Sequence, residues 1–314
     1  MSPTPTLDQP HPMDASATSG PAAVTADNVD KSFGTTAVLS RLNLHITPGE
    51  AVGILGPNGA GKSTLLSLIT GERAPDAGSV EIFGANPRTP EARRVMGVTP
   101  QATSLPEVLK VREVLDFVAA HYPNPLPAGE LLDDLDLTAL AGKQCGGLSG
   151  GQKRRVMLAV ALIGNSDVLV LDEPSTGLDV ESRQQVWQRI QAFSAAGGTL
   201  LVTSHHFDEI ERLADRVVML ADGQIIVDDQ LERVRTAVNV RHVTVTLPDI
   251  PEAVITALPG VTGIQPGEGD RQVITCSDSD AFIRALITEG LAFADLDVRG
   301  ASLEEAVAAR TAGH

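Results

Sequence analysis

The sequence predicts an α/β protein: a mixed sheet core with antiparallel β and helical parts around it, and a small α+β unit at its C-terminal end. Three observations carry this expectation. Short apolar runs at Ala51–Leu55, Val168–Leu171 and Thr199–Thr203 read as buried strands, separated by stretches of helical character. A glycine-rich loop, Gly56-Pro-Asn58-Gly59-Ala-Gly61-Lys62-Ser63, follows the first run and opens into the helical stretch Thr64–Thr70, which is the strand–loop–helix context of the phosphate-loop pattern G-x-x-x-x-G-K-[ST]. Beyond about Val238 the pattern reads strand, helix, strand, strand, helix, strand, the order of a ferredoxin-like module.

Composition narrows the function. With 314 residues the chain is long enough for two domains. Its formal charge of −16 argues against a non-specific grip on nucleic acid, and against plain adsorption to an anionic membrane. Aromatic residues make up 3%, so the cores must rest on Leu, Val, Ile and Ala. Cys145 and Cys276 stand apart from any C-x-x-C or His cluster and read as reduced, buried thiols. No apolar run has membrane-spanning length, and the N-terminus has no Lys or Arg before Lys31 and no secretory apolar core. A cytoplasmic protein, or one held at a membrane by a partner, is expected. Residues 1–24, rich in Pro, Thr, Ser and Ala, are expected to be a disordered tail.

In the phosphate loop, glycines at 56, 59 and 61 allow a tight turn and a close backbone approach to an anion. Their N–H groups and the following helix N-terminus form a phosphate cradle. Lys62 adds a point charge for the terminal phosphates, and Ser63 a hydroxyl for Mg²⁺. By itself this loop indicates a nucleoside triphosphate binder and leaves the use of the nucleotide open.

Ala23–Asp30 and Leu42–Ile46 read as strands joined through Lys31–Ala37. Phe33, in that connection, is either a core aromatic or a ring stacked on a base. Ser79–Phe83 and Val95–Gln101 add short strand-like segments, and residues 106–142 are mixed helix and loop. Leu148-Ser149-Gly150-Gly151-Gln152 places a Gly pair just before an apolar-faced helix, again an anion-facing N-terminus. Lys153, Arg154 and Arg155 read as its solvated first turn. The Val168–Leu171 strand ends in Asp172-Glu173, two carboxylates where open α/β sheets bind ligands. Asp172 is placed to hold Mg²⁺, and Glu173 to orient or deprotonate a water. Val180–Ala195 reads as a helix bearing Trp187. The Thr199–Thr203 strand delivers Ser204-His205-His206, of which His205 is the better functional candidate, and Glu209 and Glu211 read as part of a solvated helix.

Five motifs in this order resemble the nucleotide-binding domain of ABC transporters over about residues 25–235. Gly56–Ser63 matches the Walker A loop, Gln101 the Q-loop glutamine and Leu148–Gln152 the signature motif. Leu169–Glu173 matches the Walker B strand with its glutamate, Ser175–Asp179 the D-loop, and His205 the switch histidine. Phe33 stands where the family usually has a Tyr stacked on adenine.

The resemblance implies ATP held by Phe33, Gly56, Asn58, Gly59, Gly61, Lys62, Ser63 and Thr64 of one chain and by Ser149, Gly150, Gly151 and Gln152 of a second copy. It implies Mg²⁺ on Ser63, Gln101 and Asp172, and hydrolysis through Glu173, His205 and Gln101. The partners implied are a second copy in a head-to-tail homodimer and separate transmembrane permease subunits that keep the chain at the inner face of the membrane; no nucleic acid is expected. A tail after Val238 that ends near Ser302-Leu-Glu-Glu305 resembles single-domain ATPases of the drug-, polysaccharide- and lipid-export branch. The competing reading is a soluble ATPase of this family acting on DNA or ribosomes. The acidic charge disfavours it, as does the lack of room for a coiled-coil insertion between residues 62 and 148.

Overall fold

The computed structural model describes residues 21–99, 105–237, 240–248 and 250–311. Of the tail expected over residues 1–24, only the last four are described; Ala23 is buried and Val24 already opens a strand.

The chain begins with a hairpin, β1 (Val24–Phe33) and β2 (Thr36–Ile46), longer than the strands expected there, because the presumed connection 31–37 is itself mostly paired. Then come β3 (Ala51–Leu55), α1 (Lys62–Ile69), β4 (Ala77–Ile82), α2 (Pro90–Arg94) and β5 (Met96–Thr99). The helical segment holds α3 (Val111–Ala119), α4 (Ala128–Asp134) and α5 (Gly150–Leu162). Next are β6 (Val168–Asp172), α6 (Val180–Ala195), β7 (Thr199–Thr203), α7 (Phe207–Leu213), the hairpin β8 (Arg216–Ala221) and β9 (Gln224–Gln230), and α8 (Leu231–Thr236). The β8–β9 turn, Asp222-Gly223, has positive φ at both residues, the primed geometry that matches the twist of a two-residue hairpin.

These strands form two sheets. A six-stranded sheet runs β5-β6-β7-β3-β8-β9, parallel except for β9, and a three-stranded antiparallel sheet runs β2-β1-β4. Strands β3, β6 and β7 are buried at every residue because both faces of the large sheet are covered. Alternation then sorts their side chains between two cores. Ala51, Leu55, Leu169, Leu171, Leu200 and Val202 join the core under the helices, whereas Val52, Ile54, Val168, Val170 and Leu201 join the core against the antiparallel sheet. Each fully buried aliphatic side chain contributes about 1.5–3 kcal/mol, so this sheet is the rigid frame behind the site.

Three residues expected on the surface are inside. Arg155 is buried and donates from Nη1 to the Leu135 and Asp136 carbonyls and to Asp136 Oδ2 at 3.0–3.2 Å; Arg154 is buried beside it. The second turn of α5 is thus tied to the loop after α4, and of the three only Lys153 is not buried. Glu209 is 1% exposed and accepts a 2.9 Å bond from Trp187 Nε1, locking α7 to α6. Its charge pattern resembled a solvated face because the partner lies 22 residues away.

The C-terminal part folds as β10 (Arg241–Thr246), α9 (Glu252–Thr256), β11 (Val261–Pro266), β12 (Arg271–Cys276), α10 (Ser279–Thr288) and β13 (Ala294–Gly300). The sheet order β11-β12-β10-β13, antiparallel throughout, is the split β-α-β arrangement of a ferredoxin-like unit. It has its own core around Val243, Val245, Ile274, Phe282 and Leu286. The final helix, α11 (Leu303–Thr311), leaves that unit and buries Leu303, Ala306 and Val307 in the large core with residues of α7 and α8. The Leu303 N–H donates to Glu211 Oε1 at 2.6 Å, and Arg235 Nε to the Ala301 carbonyl at 3.2 Å.

Candidate nucleotide site

The phosphate loop leaves the C-terminal end of β3, which lies between β7 and β8 in the parallel run. Gly56 and Gly61 have φ of 147° and 102°, and neither position has room for a side chain. A Cβ on Gly56 would lie 2.3 Å from the Leu220 carbonyl oxygen, and one on Gly61 would lie 2.6 Å from Leu39 Cδ2. Gly59 also has positive φ, while Asn58 is exposed on the loop and Ser63 on the first turn of α1. The left-handed Gly61 serves as N-cap of α1, so the helix starts with Lys62 and directs its first N–H groups toward the loop. Lys62 is 9% exposed, and its ammonium donates to the Gly56 and Pro57 carbonyls at 2.6 and 3.1 Å. Burial lowers its pKa from the ordinary value, opposed by the carboxylates of Glu173 and Asp172. The lysine is therefore held inside the loop with its charge facing both acids.

Neighbouring strand ends deliver the rest. Asp172, the last residue of β6, is buried and accepts a 2.5 Å hydrogen bond at Oδ1 from Thr203 Oγ1 on β7. Thr203 sits directly opposite it in the parallel register. The same hydroxyl accepts from the Glu173 N–H at 3.2 Å, and the Thr203 carbonyl accepts from it at 3.1 Å. Glu173 adopts φ of 52°, a left-handed conformation costing about 1–3 kcal/mol for a non-glycine residue. Those bonds hold it there. Its carboxylate meets Thr176 Oγ1 at 3.2 Å and His205 Nδ1 at 3.3 Å. The His205 ring lies 4.1 Å from that of His206, centroid to centroid.

A cleft of about 350 Å³ runs past Phe33, Ser63, Thr64, Thr99 and Asp172. It joins the aromatic ring of the β1–β2 hairpin to the end of the phosphate loop. Phe33 is 42% exposed, so it is not a core aromatic. Two cations border its ring that the sequence did not single out for it: Arg73, with its guanidinium carbon 5.0 Å from the ring centroid, and Lys31, with Nζ at 5.9 Å.

The segment Leu148–Gln152 is elsewhere. Ser149 caps α5 in a reciprocal box, accepting from the Gln152 N–H at 3.3 Å while Gln152 Oε1 accepts from the Ser149 N–H at 3.1 Å. Gly150 and Gly151 begin the helix. Among the described residues, none of 148–152 lines the cleft that holds Ser63 and Asp172. Gln101 lies outside the described residues.

Thr203, Thr176 and Thr99 are the site residues that sequence reading missed. Thr203 was read as the end of a buried strand. Its polarity at the terminus of an otherwise apolar run, two residues before His205, was the available signal.

A phosphate loop with acid, base and hydroxyl groups gathered at adjoining strand ends defines an ATPase of the phosphate-loop class. The family model described as ABC transporter matches residues 39–176. The Nod factor export ATP-binding protein I of Paraburkholderia xenovorans is 41% identical over 216 residues, covering 66% of this chain and 70% of that protein. The protein of that name from Rhizobium etli is 39% identical, covering 66% of this chain and 67% of its own length. Among solved structures, an ATP-binding subunit of an ABC transporter matches with a TM-score of 0.64 and 26% identity, over 68% of this chain and 92% of that one. A dimeric ATP-binding cassette in a post-hydrolysis state with ADP and Pi matches with a TM-score of 0.60 and 28% identity, over 66% of this chain and 98% of that one. The chain belongs to the ABC transporter family and is an ATP-binding subunit of that family, an ATPase.

Proposed function

We propose that this chain powers an exporter by closing as a head-to-tail homodimer on ATP, its permease being separate polypeptides. The observation that carries the reading is the convergence of Lys62, Asp172, Glu173 and His205 at the C-terminal ends of β3, β6 and β7, beside a cleft that reaches Phe33. The signature segment 148–152 has no place in that cleft, and in this reading it serves the nucleotide of the second copy. The dimeric cassette among the solved relatives and the export named for the curated relatives support the assembly and the direction. Among the described residues, no helix is long and apolar enough to cross a membrane. In this reading the separate permease subunits hold the chain at the membrane.

Mg²⁺ fits the residues present. Ser63 and Asp172 offer hard oxygen donors in one cleft, and the Thr203 bond engages one Asp172 oxygen while the other stays available. When bound, the ion neutralises phosphate charge as it develops. The protein's own groups do the rest. Phe33 stacks on the base, and the loop amides with Lys62 hold the terminal phosphates. Glu173 takes a proton from the attacking water as its oxygen bonds to the γ-phosphorus and the bond to the ADP oxygen breaks. His205, 3.3 Å from Glu173, keeps that carboxylate aimed.

The test is Glu173→Gln. It should retain ATP binding, lose about a hundredfold or more in turnover, and accumulate as dimer with ATP. Undiminished hydrolysis would overturn the role given to Glu173.

A further inference from the structure

β13 is an edge of the C-terminal sheet: it pairs with β10 on one side, and among the described residues no strand pairs with it on the other. Its segment 294–300 reads Ala-Asp-Leu-Asp-Val-Arg-Gly, and the register against β10 shifts between Thr244 and Thr246, so the regular stretch begins near Leu296. Asp295, at φ of 51°, marks that irregularity.

Within the regular stretch the charges alternate in sign. Asp297 and Arg299 are exposed on the same sheet face and form an ion pair of 2.7 Å within the strand. Val298 points to the opposite face, opposite buried Val243, yet is itself exposed. Around the start of the strand, Ile287 at the end of α10 is 64% exposed and Phe293 is exposed as well. Exposed charge on an edge strand ordinarily blunts pairing, but opposite charges that meet across two strands favour it. This edge carries opposite charges on either side of an exposed valine.

The arrangement is self-complementary about Val298. If two β13 strands pair antiparallel across a two-fold axis at that residue, Val298 meets Val298, and Asp297 of each strand lies opposite Arg299 of the other. That is the requirement of an isologous contact, in which the same residues face each other on both sides. We infer that β13 is the edge through which two copies of this chain pair, joining their C-terminal sheets independently of nucleotide. A contact of so few residues is weak alone. Its use is to keep two copies near each other when the nucleotide interface opens, raising the effective concentration for the next closure.

The test uses the full chain without nucleotide, so the ATP-driven interface is not sampled and its fate is judged separately. Val298→Cys, under mild oxidation, should form disulfide-linked dimers about tenfold more readily than Val254→Cys, a collision control exposed on α9. The native Cys145 and Cys276 are buried and supply no background. Adding Asp297→Arg to Val298→Cys puts Arg opposite Arg twice and should cut linkage about tenfold; adding Arg299→Asp as well should restore it. Linkage of Val298→Cys no greater than that of Val254→Cys would overturn the inference. So would linkage indifferent to the charge reversal, or one that the double exchange fails to restore.

Discussion

β6 and β7 of the central sheet are buried along every residue, whereas β10 and β12 of the C-terminal sheet are fully buried only at alternate positions. Both sets of strands are rich in Val, Leu, Ile and Thr. What differs is how the layers cover them. The parallel strands lie between two packed layers and end together along one rim, so Lys62, Asp172, Glu173 and His205 arrive side by side from distant parts of the chain. The antiparallel strands end alternately at both rims, and only one face meets their helices. Their side chains build a core and an edge and gather no comparable set of acids and bases. The same apolar composition therefore supports a reaction in one region and a surface in the other, with α11 binding the two together.

Substitutions sharpen this contrast. The largest effect is expected for Lys62→Ala, which removes the charge held within the loop and should cost about a thousandfold in turnover; measured ATPase activity within tenfold of the parent would contradict the site. Thr203→Val should come next. It frees Asp172 and removes one acceptor from the strained Glu173 amide, so the Mg²⁺ concentration for half-maximal activity should rise about tenfold or more. Thr203→Ser keeps the hydroxyl and should restore it, which a packing defect alone would not do. Phe33→Ala should raise KM for ATP about fivefold with kcat little changed, in keeping with the worth of one aromatic stack; a fall in kcat instead would deny it a binding role. The smallest effect on activity belongs to the other region. Phe282→Ala opens the core of the C-terminal module and should destabilise it by about 3–5 kcal/mol. KM for ATP should stay within about twofold, because no part of that core touches the cleft. Thermal unfolding followed beside ATP titration reads both quantities.

The motif-borne part of this site was legible in the sequence because its chemistry is local. A loop that wraps phosphate needs glycines at fixed spacing, and Lys62 must follow the last of them. Asp172 and Glu173 could be placed because they end an apolar run. Contacts made by strand pairing were not legible. Thr203 reaches Asp172 only because β7 lies beside β6 in one register, and Glu209 is hydrogen-bonded in the core by Trp187 on another helix. The burial of Arg155 depends in the same way on carbonyls that α4 presents at its C-terminal end. In the C-terminal module the strand order could be read from alternating patterns, but the return of α11 to the large core could not, since its apolar residues would have suited either surface.

The central claim is that each nucleotide is shared between the loop at 56–64 of one copy and the segment at 148–152 of the other. Mixing two inactive variants tests it most directly: Lys62→Ala, with its signature segment intact, and Ser149→Arg, with its phosphate loop intact. A mixed dimer then holds one site with both halves sound. If halves are shared, the mixture should recover about a quarter of parental turnover, since half the dimers are mixed and each has one good site of two. Activity no greater than the average of the two variants measured alone would show that each copy works by itself, and the shared site would have to be abandoned.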